Sequence, residues 1–234
     1  MAFTFVNSNQ AGAGASSTTL QVTVTGVGAG NLIVIVCGWG LSSDTTLTVT
    51  DPNSTFTNGT LLRNVDPTPD NCSAMAYLLS SVSSGSVTYT MTLGTAAVDL
   101  EIQAWAFSYS GTASLGAANA AQGNSTAPNS GNISPSGTDL VVMGAAMIEG
   151  ADSVTASAPL INGAAAEGSN LNFQGVSNVW YDILSAGFSN GAASCTFDVA
   201  KAWVANVMAF KAVEGGAAPS AYTVLYGPRV PQWV

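Results

Sequence analysis

Apolar residues run without interruption from Leu32 to Cys37, LIVIVC, with Gly30 before the run and Gly38 directly after it. A run that short, rich in β-branched residues and bounded by glycine, predicts a strand buried on both faces rather than a helix. The preceding segment, TLQVTVTG (Thr19 to Gly26), alternates instead. Leu20, Val22 and Val24 share one face and Thr19, Gln21, Thr23 and Thr25 the other, which predicts a half-buried strand. Before it come a short apolar segment, Phe3 to Val6, and a Gly/Ala/Ser loop. After it, STFTNGT and LLRN read as two short segments separated by an Asn58-Gly59 turn. Val65 to Asn71, with two prolines and two aspartates, reads as a rigid surface loop.

The same order of patterns returns in the second half of the chain. GTDLVVMGAA (Gly137 to Ala146) echoes the core run, and DSVTASAP (Asp152 to Pro159) echoes TLTVTDP (Thr46 to Pro52), each an alternating strand that stops at proline. Ala74 to Gly94 and Asn178 to Val199 each predict a hairpin, with Tyr181 matching Tyr77, Gly191 matching Gly85, and Cys195 and Phe197 matching Tyr89 and Met91. Each half closes on a long apolar strand, Asp99 to Gly111 and Lys201 to Val213. Four echoes in one order read as an internal duplication, with halves at about 19–111 and 137–213. The intervening Thr112 to Gly137 is nearly free of large apolar residues and reads as a long crossover loop. Only Ser157 to Phe173 has room for a short helical turn. The expected fold is all-β, an antiparallel two-sheet β-sandwich over 1–214, jelly-roll-like and built from the duplicated half, with an immunoglobulin-like tandem as second choice. Leu32 to Val36 and Leu140 to Met143 are expected at equivalent places within it.

Composition narrows the function. Charged residues make up 7 % of the 234-residue chain, against roughly 25 % in ordinary soluble domains. The outward strand faces must therefore be wetted by Ser, Thr, Asn and Gly. With a net charge of -9 and only Arg63, Lys201, Lys211 and Arg229 as cations, the surface repels nucleic-acid phosphates and anionic membranes. No segment approaches the roughly 18 apolar residues of a membrane span. The first residues lack the basic and apolar regions of a secretory leader, so either a leader has been removed or the protein is used without such export, and the second is the expectation. Cys37, Cys72 and Cys195 do not suit a disulfide scaffold, and Cys37 and Cys195 read as small buried hydrophobes.

Candidate chemistry is sparse. The chain has no histidine, which removes the usual general base, zinc ligand and nucleophile partner. Asp99 and Glu101 share a strand face and are the one pair with glycosidase-like spacing, but no second feature accompanies them, and no catalytic residue is assigned. Asp44, Asp51, Asp66 and Asp70 are oxygen ligands of the type calcium uses, yet without a loop signature they read as solvated acids. No metal or other cofactor is expected. Trp39, Trp105, Trp180 and Trp203 lie in predicted strands and read as core rather than as a glycan platform.

The Thr-rich leading strand, the Gly-x-Leu aliphatic run, Val-Thr-Asp-Pro, Tyr followed by a Ser/Gly turn, and the Trp/Phe closing strand resemble a β-sandwich module of bacterial surface proteins and of virion proteins of tailed bacteriophages. Phage head-decoration (cement) proteins are similar in their low charge and sandwich body. The resemblance implies a non-enzymatic structural virion protein at the capsid surface, bound to the major shell protein and to itself as a homotrimer. The alternative is a carbohydrate-binding or adhesion module of a tail fibre or cell surface, and so extracellular. The tail, 215–234, is expected to be extended: Gly215, Gly216 and Pro219 end the last strand, and Pro228 and Pro231 stiffen the final residues. Tyr222, Leu225, Tyr226, Arg229, Val230 and Trp233 are its expected partner-binding residues, with Trp233 as anchor.

Overall fold

The computed structural model describes residues 3–40, 46–53, 56–64, 71–138, 140–148, 154–173 and 177–213. Among them every regular element is a strand and every pairing is antiparallel. The all-β class and the packing of antiparallel sheets against one another agree with the sequence reading. The layers, however, are stacked four deep.

In the first half, β2 (Ser17–Val27) and β4 (Leu47–Thr50) flank the first part of β7 (Gly85–Tyr109) in an outer sheet. An inner sheet runs β1 (Phe3–Ala13), second part of β7, β3 (Leu32–Gly40), β6 (Asn71–Leu78), β5 (Thr57–Asn64). The 25 residues of β7 belong to both sheets. The strand turns the corner at Asp99, whose φ of 52° is the left-handed conformation that a sharp change of strand direction needs.

The second half has an inner sheet ordered β8 (Thr112–Ser125), β15 (Lys201–Val213), β9 (Leu140–Ile148), β13 (Ser177–Leu184), β12 (Gly168–Phe173). Its outer sheet is β11 (Ala164–Ala165), β10 (Ala156–Ile161), β14 (Ala193–Phe197), extended by single bridges from Asn129 and Ile133 to the β14 side. Strand by strand, the two inner sheets follow the same sequence of partners. The two core strands hold the same place: β3 lies between β7 and β6, and β9 between β15 and β13.

This stacking creates three cores. Ile33, Ile35 and Cys37 of β3 face Val22, Val24, Tyr89 and Met91 of the first outer sheet. Leu140 and Val142 of β9 do the same with Ile161, Cys195 and Phe197. The opposite faces meet in the middle, where Leu32, Val34, Val36, Trp105 and Phe107 pack on Val141, Met143, Tyr181, Met208 and Phe210. The unbroken apolar runs of β3 and β9 are explained by these two-sided contacts, since each large side chain removed from water contributes about 1.5–3 kcal/mol. The half-buried β2 keeps its threonines outward, where Thr23 shares a hydrogen bond with Thr88 and Gln21 donates to Thr90.

Several sequence expectations need correction. The N-terminal loop and the crossover loop are strands, β1 and β8, whose Ala, Asn, Gly and Ser content hides them from a hydrophobic pattern. β6 and the first part of β7 are not a hairpin, nor are β13 and β14; each pair is split between an inner and an outer sheet. Ser81, tied to Gly30 and Asn31 by backbone hydrogen bonds, carries the chain across. Asn58-Gly59 lies in a bulge within β5, not at a turn. β10 does not stop at Pro159 but passes it, with a bulge at Ala158, φ 47°. The segment given room for a helical turn is instead a β10–β11 hairpin closed by Asn162 and Gly163, both at positive φ.

Candidate functional site in the central interface

One end of the central interface is aromatic and the other is polar. On β7 and β15 the inward residues change from Phe107, Trp105 to Gln103, Glu101, and from Phe210, Met208 to Asn206, Val204. Gln103 Nε2 donates to Ser177 Oγ at 2.7 Å, and Asn206 Nδ2 donates to Ser73 Oγ at 2.8 Å. Both bonds span the two halves. All four residues are buried.

The two bonds are counterparts by register. In the first half, Gln103, Val36 and Met75 stand side by side on neighbouring strands, and the next inward row is Glu101, Gly38 and Ser73. In the second half the rows are Asn206, Ala145 and Val179, then Val204, Met147 and Ser177. Gln103 therefore corresponds to Asn206, Ser73 to Ser177, and Glu101 to Val204. Gly38 corresponds to Met147 and also touches it: a Cβ on Gly38 would fall 1.8 Å from Met147 Cε. A position that contacts its own counterpart, with reciprocal contacts around it, is the pattern of an approximate two-fold axis.

Glu101 departs from that pattern. It is 1 % exposed, lies between Gly12 and Gly38 on the adjoining strands, and has no hydrogen-bond partner on either carboxylate oxygen. Burial pushes its carboxyl up to about 8; the Ser177 hydroxyl pulls the other way without reaching hydrogen-bond geometry, and the Asp99 charge adds to the rise. Since Val204 fills the corresponding place, the fold itself does not require a carboxylate there. Asn170 Nδ2 donates to Gln103 Oε1 at 2.9 Å, whereas the corresponding oxygen, Asn206 Oδ1, is buried without a partner.

The candidates drawn from the sequence fare differently. Asp99 and Glu101 are not a pair open to solvent, because Glu101 is sealed in the interface while Asp99 sits at the β7 corner. Asp51 is buried and accepts from the Asn53 backbone N–H, a turn contact; Asp44, Asp66 and Asp70 lie outside the described residues. No cluster of metal-ligating side chains occurs among the described residues. Trp39, Trp105, Trp180 and Trp203 are all buried. Cys37 and Cys195 are buried free thiols, the latter pushed up to about 12 by desolvation, and the Cys72 side chain lies outside those described. Tyr222, Leu225, Tyr226, Arg229, Val230 and Trp233 all lie outside the described residues.

The sequence reading does not single out Gln103, Asn170, Ser177, Ser73 or Asn206. Gln103 and Asn206 do carry a signal, each the lone amide inside an apolar closing strand, four residues before a phenylalanine. Compared with protein-family models, with curated proteins and with solved structures, the chain matches none.

Proposed function

We propose that this chain is a non-enzymatic structural protein, a capsid decoration (cement) protein that binds a shell lattice and itself. The observation that carries the reading is the burial of Glu101 in the interface between two fused sandwiches. With one member of the acid pair of glycosidase-like spacing sealed inside, the arrangement supports a rigid block rather than an open cleft. The uncharged threonine face of the first outer sheet suits close, salt-insensitive packing against a neighbour. A glycan-binding module asks for an open aromatic ring, and the four described tryptophans are buried, so that reading ranks second.

The test is cosedimentation of the purified chain with shells of the major shell protein from the same particle, alongside light scattering for the trimer. Saturable binding at a fixed ratio to shell subunits supports the reading. Removing 228–234 is expected to weaken that binding by at least tenfold while the sandwich stays folded. Failure to bind any shell, together with measurable affinity for a glycan array, would replace it with the adhesion reading.

A further inference from the structure

The Gln103 carboxamide is held on both sides in a sealed place. Its nitrogen donates to Ser177 Oγ at 2.7 Å and its oxygen accepts from Asn170 at 2.9 Å. An oxygen hydrogen-bonded to the amide nitrogen lies about 3.5 Å from the amide carbon, at the edge of attack distance. Glu101, two residues earlier on the same strand and so on the same face, has both oxygens unpartnered. Gln103 and Glu101 occupy successive inward rows of β7, the Ser177 hydroxyl is bonded to the Gln103 amide, and its pull favours the charged form of the Glu101 carboxyl. A nucleophile, a proton acceptor beside it and a donor on the carbonyl oxygen are the parts acyl transfer requires.

We propose that Gln103 and Ser177 join in an intramolecular ester, a covalent link between the two halves that the chain makes on itself. A rotation about the Gln103 Cγ–Cδ bond, a soft torsion, turns the amide face toward Ser177 Oγ. Oγ attacks Cδ while its proton passes to Glu101. The charge gathering on Oε1 is met by the Asn170 N–H. Glu101 then returns the proton to Nε2, the Cδ–Nε2 bond breaks and ammonia leaves. The Cδ–Oγ bond remains, Glu101 ends as it began, and no oxidant or other reactant enters. Exclusion of water protects the ester from hydrolysis.

The counterpart contact provides an internal control. Asn206 and Ser73 repeat the amide–hydroxyl bond, but Val204 stands where Glu101 does, and the Asn206 oxygen has no donor. That pair stays unlinked. Burial places the Glu101 carboxyl near 8, where one group both accepts and donates a proton at neutral pH. Among the described residues, Gly12 and Gly38 stand beside it on the neighbouring strands, the Ser177 hydroxyl acts on it from the other half, and Asp99 is the charged group that acts on it.

Intact mass of the full chain in denaturant tests this. The expected wild-type mass is lower by one ammonia, about 17 Da, with chymotryptic peptides ending at Trp105 and Trp180 recovered as a linked pair that hydroxylamine separates. Glu101→Gln and Ser177→Ala are expected at full mass, and Ser73→Ala at the reduced mass. A wild-type chain still at full mass after long incubation at pH 8 overturns the proposal, whatever the variants do. So does a loss of ammonia that maps to Asn162-Gly163 as a succinimide, or a link that persists in Glu101→Gln.

Discussion

Tyr77 and Phe210 meet edge to face across the central interface at a centroid distance of 5.3 Å, and their counterparts Tyr181 and Phe107 do the same at 5.2 Å. Each ring pair joins the first half to the second, and together they hold the aromatic end as the two amide–serine bonds hold the polar end.

Reciprocity makes the two phenylalanines energetically similar. Both are fully buried. Phe107→Ala and Phe210→Ala are each expected to cost about 3–5 kcal/mol in urea unfolding, because the truncation removes the ring contact and leaves a cavity. A cost below about 1 kcal/mol for either would show that its ring is not part of the shared core.

The place where Gly38 and Met147 meet gives a second comparison. A methyl group on Gly38 meets only the flexible end of Met147, so Gly38→Ala is expected to cost about 1–2 kcal/mol and to be relieved by Met147→Ala in the double variant. On Gly144 the same methyl would fall 2.6 Å from the Ala193 Cβ and 2.7 Å from the Trp180 ring, which have no room to move. Gly144→Ala should therefore be the more damaging by thermal melting.

The sandwich class was legible because its signal is periodic: Val22 and Val24 alternate with threonines, and Leu32 to Cys37 has no polar face at all. That two-sided run also implied cover on both sides, and hence a middle layer, though the expectation stopped at two sheets. β8 was illegible because Ala117, Ala121 and Gly123 are small for a reason that only packing shows: a Cβ on Gly123 would fall 2.6 Å from the Trp203 ring. The polar cluster had a faint signature, Ser73 and Ser177 each four residues before a tyrosine, and Gln103 and Asn206 each four before a phenylalanine. Spacing alone could not reveal that these pairs meet across halves, since the contact depends on how the inner sheets face one another.

Glu101 makes stability depend on pH in a direction opposite to most carboxylates. Its folded value, about 8, is raised above the ordinary 4.5, so the folded state holds the proton more tightly than the unfolded chain. Its stabilising contribution is full below about pH 4.5 and is lost progressively as pH rises to about 8. At most the swing is on the order of 5 kcal/mol, and relaxation around the charge reduces it. Compared in the Ser177→Ala background, where no covalent link can form, Glu101→Val, which installs the residue of the corresponding position, should remove that slope and raise the urea midpoint at pH 8. An unchanged slope would mean the carboxyl finds a partner or water on ionising.

The Asn206–Ser73 bond separates two ideas of what buried polar contacts do here. Asn206 is already under-satisfied, with Oδ1 buried and unpartnered, so the pair contributes little net stability even though each member depends on the other. Ser73→Ala strands the Asn206 amide nitrogen as well and is expected to cost about 1–3 kcal/mol. Asn206→Leu removes the orphaned oxygen together with the amide nitrogen and leaves only the Ser73 hydroxyl to be accommodated, so it should cost less. The double variant replaces the whole polar contact with apolar packing and should be at least as stable as the wild-type protein. If the double variant instead loses the sum of the two single costs, the bond is a true stabiliser, and the reciprocal polar contacts hold the halves together by more than geometry.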